Sequence, residues 1–311
     1  MQQRVPPLYP TGDAEVDHEL VRVLAMIQPE DSELIDRLLA PISEQSHPVE
    51  DLHQLIGVAR LPGERNERQR EATAAALIDL ERKIRSRGLV QDLHWNDRVM
   101  ELYAALVDRD PALPIALLQH PGFGEPGHAQ FLTKLDPSHF ETAVNVFSQA
   151  ALSAGDSYDW NADVVYLLTQ SDDPRVRNLV RAQFEDYGLR SSVLLALTES
   201  PREADRELFV QGLDSAQIDA LGACVRALAL LPPSQAAAEN VALVRTLRRL
   251  GSSGQELILR GQVDEVLRRN TGLSAGYQVG VEGDPQPAAI NLWTKQIQQK
   301  YPEEFARQAG D

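Results

Sequence analysis

Apolar residues recur at helical spacing along almost the whole chain. Val16, Leu20, Val23 and Ile27 stand at i, i+4, i+7 and i+11, and Phe140, Val144, Phe147 and Ala151 repeat that pattern. Ile218, Leu221, Val225 and Leu228 form another stripe. Leu259, Val263 and Val266 form one more, and Ile290, Trp293, Ile297 and Tyr301 face one way near the end. Each stripe is narrow, so each predicted helix packs one face on neighbours and leaves the other wet. Strand-like alternation is nearly absent. The pattern predicts an all-α chain of about sixteen helices joined by short loops.

Helix ends carry their own chemistry. Ser200-Pro201-Arg202-Glu203 combines a candidate N-cap serine, a proline at the first helical position and a capping-box glutamate. Ser138 with Glu141 and Ser253 with Glu256 read as further capping boxes. Asp110-Pro111 and Asp173-Pro174 are acid-then-proline starts, suited to the positive end of a helix dipole. Gly88, Gly155, Gly188 and Gly251 follow expected last turns, where a left-handed residue closes a helix.

Helix pairs beginning near residues 173, 201 and 235 suggest a repeat in the size range of helical solenoids. Asp172-Asp173-Pro174-Arg175-Val176-Arg177 reads as the turn and second-helix start of a HEAT repeat. There the aspartate would cap, Val176 would enter the core and Arg177 would pair with an aspartate of the adjacent repeat. One helix pair cannot cover its own apolar face, whereas stacked pairs make a continuous core. The expected architecture is a single α-solenoid over 1–311. It divides into an irregular helical part at 1–120, HEAT-like pairs at 121–270, and a loop with capping helices at 271–311. An irregular helical globule is the competing arrangement.

The segments PTGDAEVDHELVRVLAMI (10–27), HPVEDLHQLIGVARLPG (47–63), HPGFGEPGHAQF (120–131) and FEDYGLRSSVLLAL (184–197) carry a family resemblance. RELFVQGL (206–213), LRRNTGLSAGYQ (267–278) and AAINLWTKQIQQKYPEEFARQ (288–308) extend it. Together they resemble the HEAT-like helical segment of large multidomain proteins of planctomycete-type bacteria. In that family the segment lies upstream of a c-type cytochrome-like haem domain and can follow a propeller or dehydrogenase-like domain. The resemblance implies a helical-repeat module of a redox-associated parent protein in an extracytoplasmic setting. With no CxxCH in this chain, the haem function does not carry over.

Composition narrows the partner. The chain has 30 Lys and Arg against 46 Asp and Glu, a formal net charge of −16. A surface at this potential repels phosphate and favours basic proteins or cations over nucleic acid, although acidity also serves solubility alone. Only four of the basic residues are Lys (Lys83, Lys134, Lys295, Lys300), a bias attributable to genome composition. No apolar run is long enough to span a membrane, and MQQRVPPLYPTGD lacks the apolar stretch of a signal peptide. The single cysteine, Cys224, sits among apolar helical neighbours and reads as an inert core thiol.

Candidate chemistry is sparse. His47 and His53 bracket Glu50 and Asp51, which suggests either a His/carboxylate cluster or a helix start at Pro48 with an acidic first turn. His120 and His128 flank Pro121-Gly122-Phe123-Gly124-Glu125-Pro126-Gly127, a loop that could present two histidines to a partner or simply redirect the chain. Trp95, Trp160 and Trp293 look isolated, each a filler between helices. The stretch from Thr271 to Gln286 is the longest without helical pattern, either a functional loop or the hinge that folds a last helix (about 285–299) back as a cap.

The sequence therefore predicts no catalytic, metal or cofactor residues. It predicts a non-catalytic scaffold or protein-interaction module whose partner is another protein or adjacent domains of a parent. Glu50, Asp51, His53, His120 and His128 are the candidate partner surface. Two alternatives differ in class: a nucleic-acid-processing repeat of the DNA-glycosylase kind, and a metal-dependent enzyme built on His47, Glu50, Asp51, His53 and His94.

Overall fold

Asp13 opens the first helix, its carboxylate accepting from the backbone N–H groups of Glu15 and Val16. This description comes from a computed structural model that covers residues 4–251, 254–278 and 285–309, and every regular element among them is helical. Met1–Ser171 and Asp172–Asp311 form two compact units. The division falls just before the Asp172-Asp173-Pro174 turn, where the sequence suggests one continuous array.

Unit 1 holds α1 (Ala14–Ile27), α2 (Ser32–Leu39), α3 (Pro48–Arg60), α4 (Glu67–Ser86), α5 (Trp95–Arg109), α6 (Leu113–Gln119), α7 (Phe140–Ala154) and α8 (Ala162–Leu168). A 3-10 segment, Pro126–Lys134, lies between α6 and α7. α3 is the central rod and packs on α1, α2, α4 and α5. Its Gly57 lets α1 approach closely, since a Cβ there would stand 2.8 Å from Val21 Cγ1. Leu24, Leu34, Ile35, Leu38, Leu55 and Leu77 are sealed in this core. α1 buries Val21 and Leu24, while Val16 and Val23 of the expected stripe face out. The buried face is displaced from that stripe by about one residue, with Leu20 and Ile27 still half-buried, because both sides of α1 carry aliphatic residues and periodicity alone does not choose between them.

Several caps differ from expectation. Asp136, not Ser138, caps the chain before α7, accepting from Ser138 N and Oγ, so no box forms with Glu141. Asn66 instead closes a full capping box with Gln69 at the start of α4. Gly88 and Gly155 adopt positive φ after α4 and α7 as expected.

Unit 2 holds α9 (Pro174–Ala182), α10 (Arg190–Glu199), α11 (Arg206–Gly212), α12 (Ile218–Leu230), α13 (Ala237–Arg249), α14 (Gly254–Thr271), α15 (Pro285–Lys300) and α16 (Pro302–Ala309). α10 packs on α12 and α12 on α14, while α13 touches α11, α14, α15 and α16. Helices two apart in sequence thus lie side by side. Gly212 sits where α10, α11 and α12 converge, and a Cβ there would overlap Cys224 Sγ. Cys224 is buried, and burial pushes its thiol up to about 12. Trp293 of α15 is buried, and its indole N–H donates to Asp264 of α14 at 2.6 Å. Among the described residues the last helix is α16, which with α15 occupies the segment expected to hold capping helices, and it too packs on α13.

Ser200 ends α10 and Arg202 precedes the next turn, so no serine cap opens there. Gly188 and Gly251 do not take the left-handed conformation. Ser253, Gly280 and Gly283 lie outside the described residues.

Candidate functional site

Polar chemistry inside unit 2 is repetitive. Asp173 caps α9 by accepting from Arg175 N at 2.8 Å, Pro174 fills the first helical position and Val176 is sealed in the core. Arg177 then donates to Asp205 at 3.0 Å, 28 residues on, and Arg181 reaches the other oxygen of Asp205 at 2.6 Å. Asp172 pairs at the surface with Arg202 at 3.3 Å. One step further, Arg206 donates to Glu239 at 2.8 Å, and Glu239 accepts from Asn270 at 2.8 Å. Asp205, Glu239 and Asn270 are all buried. A line of hydrogen-bonded carboxylates and guanidinium groups therefore runs from one helix pair to the next.

A second set of arginines closes helix C-termini. Arg249 at the end of α13 donates to the carbonyls of Leu213, Asp214 and Ser215, just beyond α11. Arg269 near the end of α14 donates to Leu228 O and Ala229 O in the last turn of α12. Unit 1 uses the same device, with Arg37 on the carbonyls of Pro6 and Tyr9 and Arg65 on those of Val58 and Leu61. A planar fork spans several carbonyl oxygens, which an ammonium on a flexible stem does less well. The arginine bias thus has a structural use that composition alone does not reveal.

The candidate residues of unit 1 separate. His47 caps α3 through Nδ1, which accepts from Val49 N. Asp51 points the other way, into the core, where Lys83 of α4 donates to it at 2.5 Å and to Ser46 Oγ at 3.1 Å. Their side chains are 1% and 3% exposed, so Asp51 is not partner surface. His53 faces α1, stacked on His18 at 3.6 Å between ring centroids and bonded through Nε2 to His18 O. Glu50 lies 3.5 Å from His18 Nδ1, and burial holds the His53 imidazole below its ordinary value. His94 pairs with its near neighbour Asp97 in the turn that opens α5. The amphipathic register of α3 causes the split, since residues 50 and 53 share a face that residue 51 does not. Among the described residues, no group of three His, Cys, Asp or Glu side chains is placed to hold a metal ion.

His128 is also withdrawn from the surface. Its Nδ1 accepts from the N–H groups of Gly124 and Glu125, and its Nε2 meets Ile78 O at 3.1 Å. Both nitrogens are thereby satisfied by the neutral Nε2–H tautomer, and burial lowers its pKa. His128 ties the Gly/Pro loop to α4. His120 is half-buried, its Nδ1 accepting from Gly122 N at 3.1 Å. It lies at the junction of two cavities of about 510 and 550 Å³ that share Gln119, His120 and Pro121. Ala74, Ala75 and Ile115 line one, and Val146 and Ala150 the other.

A further cavity of about 240 Å³ in unit 1 brings together residues far apart in sequence. α4 contributes Glu81, the first turn of α5 contributes Trp95 and Asn96, and the 3-10 segment contributes Gly127 and Gln130. Asp159, Trp160 and Asn161 come from the strand-like approach to α8, and Asp163 from its first turn. Asn161 fixes that approach by accepting from Val164 N at 2.9 Å and donating to Pro126 O at 3.0 Å. Trp160 packs edge-on against Tyr158, whose hydroxyl donates to Gly124 O at 2.9 Å. The Glu81 carboxylate rests against Gly127, where a Cβ would overlap it, and its Oε1 accepts from Arg85 at 2.9 Å. Trp95 and Trp160 thus line one cavity, and the 64 residues between them hide their convergence from sequence reading.

No protein-family model, curated protein or solved structure matches this chain. Among the described residues, no helix is long and apolar enough to cross a membrane.

Proposed function

We propose that the chain is a non-catalytic helical-repeat interaction module, with HEAT-like stacking in its second unit. The observation that carries this reading is the buried series Arg177–Asp205 and Arg206–Glu239–Asn270, which links successive helix pairs. The C-terminal clamps by Arg249 and Arg269 repeat the same two-helix step. These ionisable groups are consumed in holding helices together, which is the economy of a scaffold. The family resemblance agrees with that role, with any redox chemistry supplied by other domains.

The contact surface belongs to the trough around His120 on unit 1. Its small apolar lining suits a docked segment, and the unit around it carries 14 basic against 27 acidic residues. The partner segment is accordingly basic and amphipathic. The test is paired affinity capture from source-cell extract with the wild-type chain and with Ala75→Glu/Ala150→Glu. A basic protein retained by the first and lost from the second supports the reading. Retention unaffected by the two charges, recovery of nucleic acid alone, or small-molecule turnover by the purified chain would overturn it.

A further inference from the structure

The 240 Å³ cavity of unit 1 is smaller than the roughly 300–1,000 Å³ typical of drug-sized ligand pockets, so it suits a head group better than a whole metabolite. Its chemistry is one-sided. Two half-buried indoles, three carboxylates (Glu81, Asp159, Asp163) and side-chain amides face it, and no Lys or Arg lines it. His128 reaches the lining as a neutral ring whose two nitrogens are already bonded. Arg85 is the cation next to Glu81, and it is shared between Glu81 at 2.9 Å and Glu125 at 3.5 Å. Asp159 and Asp163 carry no ion pair among the described residues. The chain holds no Lys or Arg at all between Lys134 and Arg175, so nothing nearby in sequence offsets their charge.

Indole faces attract cations through the ring quadrupole, and the attraction grows where water is excluded. A methylated ammonium or a guanidinium presents a diffuse, weakly hydrated charge that such walls take up at small desolvation cost. We infer that this cavity binds the head group of an organic cation, with Trp95 and Trp160 as walls and Asp159 and Asp163 as counter-charges. Two sources offer that chemistry: a free quaternary ammonium compound, and a methylated lysine or arginine side chain of a protein. Val90 and Leu93 are almost fully exposed on the loop that supplies Gln91 to the cavity, an apolar rim that favours a protein source.

Tryptophan fluorescence of the full chain tests the inference directly, because Trp293 is buried against Asp264 and contributes a constant background. Tetramethylammonium, titrated against sodium at matched ionic strength, is expected to change the emission saturably. The neutral isostere 3,3-dimethylbutanol is expected to leave it unchanged. Asp159→Asn/Asp163→Asn alters only exposed side chains and is expected to weaken binding by roughly tenfold, as loss of about 1.4 kcal/mol of charge attraction implies. Trp160→Leu, with helicity checked by circular dichroism, is expected to weaken it further. Tighter binding of a trimethyl-lysine peptide than of tetramethylammonium identifies the protein source, and equal binding identifies the free cation. Absence of a saturable response, equal response to the neutral isostere, or unchanged affinity in both variants overturns the inference. The cavity shares no lining residue with the His120 trough and is lined by unit 1 residues, so either result leaves the proposed scaffold role to its own test.

Discussion

The two units handle buried charge differently. Unit 1 pins α3 to α4 with one sealed pair, Asp51 and Lys83, supported by Ser46. Unit 2 spreads its buried charge over successive helix pairs, with Asp205 shared by Arg177 and Arg181 and Glu239 shared by Arg206 and Asn270. A lone pair is all-or-none, because losing either member strands the other in an apolar core. In the shared arrangement, a lost partner leaves a second donor or acceptor in reach. All seven histidines and most of the net negative charge also fall in unit 1, leaving unit 2 with 16 basic and 19 acidic residues and no histidine. Sensitivity to substitution and to acid should therefore divide along the same boundary.

The largest effect is expected at the lone pair. Asp51→Ala leaves the Lys83 ammonium buried without its counter-ion and should cost about 3–5 kcal/mol in urea unfolding. Asp51→Leu combined with Lys83→Met should restore most of that loss, since a well-packed apolar pair avoids the desolvation penalty. If the single and double variants were equally unstable, the pair would not be the all-or-none pin described. Arg181→Ala should cost less, about 1–2 kcal/mol, because Asp205 keeps Arg177 as its partner. Hydrogen exchange should then accelerate in α9 and α11 before it does in α15. Uniform acceleration across unit 2 would contradict local sharing. Arg249→Lys should lower stability by about 1 kcal/mol, since an ammonium cannot hold three carbonyls as the guanidinium does.

The smallest expected effect separates the units by pH. His53 and His128 have pKa values held below the ordinary 6.5 by burial, so the unfolded chain binds protons more readily than the folded one. Their contribution is fully present above the unfolded value and is lost as pH falls through 6.5 toward the folded values. Unit 1 should become easier to unfold between neutrality and mild acid, while unit 2 has no histidine to respond. His128→Gln should flatten the slope for unit 1. An unchanged slope in that variant would remove His128 from the account.

Local chemistry was the legible part of the sequence. Asp173-Pro174 with Val176 and Arg177 sits within one helix start, where residue type and spacing nearly determine the geometry. The helical character of the chain follows equally from periodicity. The face of α1 does not, because Val16, Leu20, Val21, Val23, Leu24 and Ile27 offer two overlapping stripes. Asp51 reads like its neighbour Glu50, and only the position of Lys83, 32 residues on, shows which carboxylate turns inward. Trp95 and Trp160 line one cavity only because the 3-10 segment packs on α5 and the approach to α8 is tied to that segment through Asn161. No pattern within either tryptophan's own neighbourhood signals that shared lining.

The arginine clamps also bear on how the chain is finished during synthesis. The carbonyls just past α11 wait for Arg249, and those at the end of α12 wait for Arg269, 40 residues after Ala229. Each rod therefore emerges with a ragged end that water must serve until the rod two places later has been made.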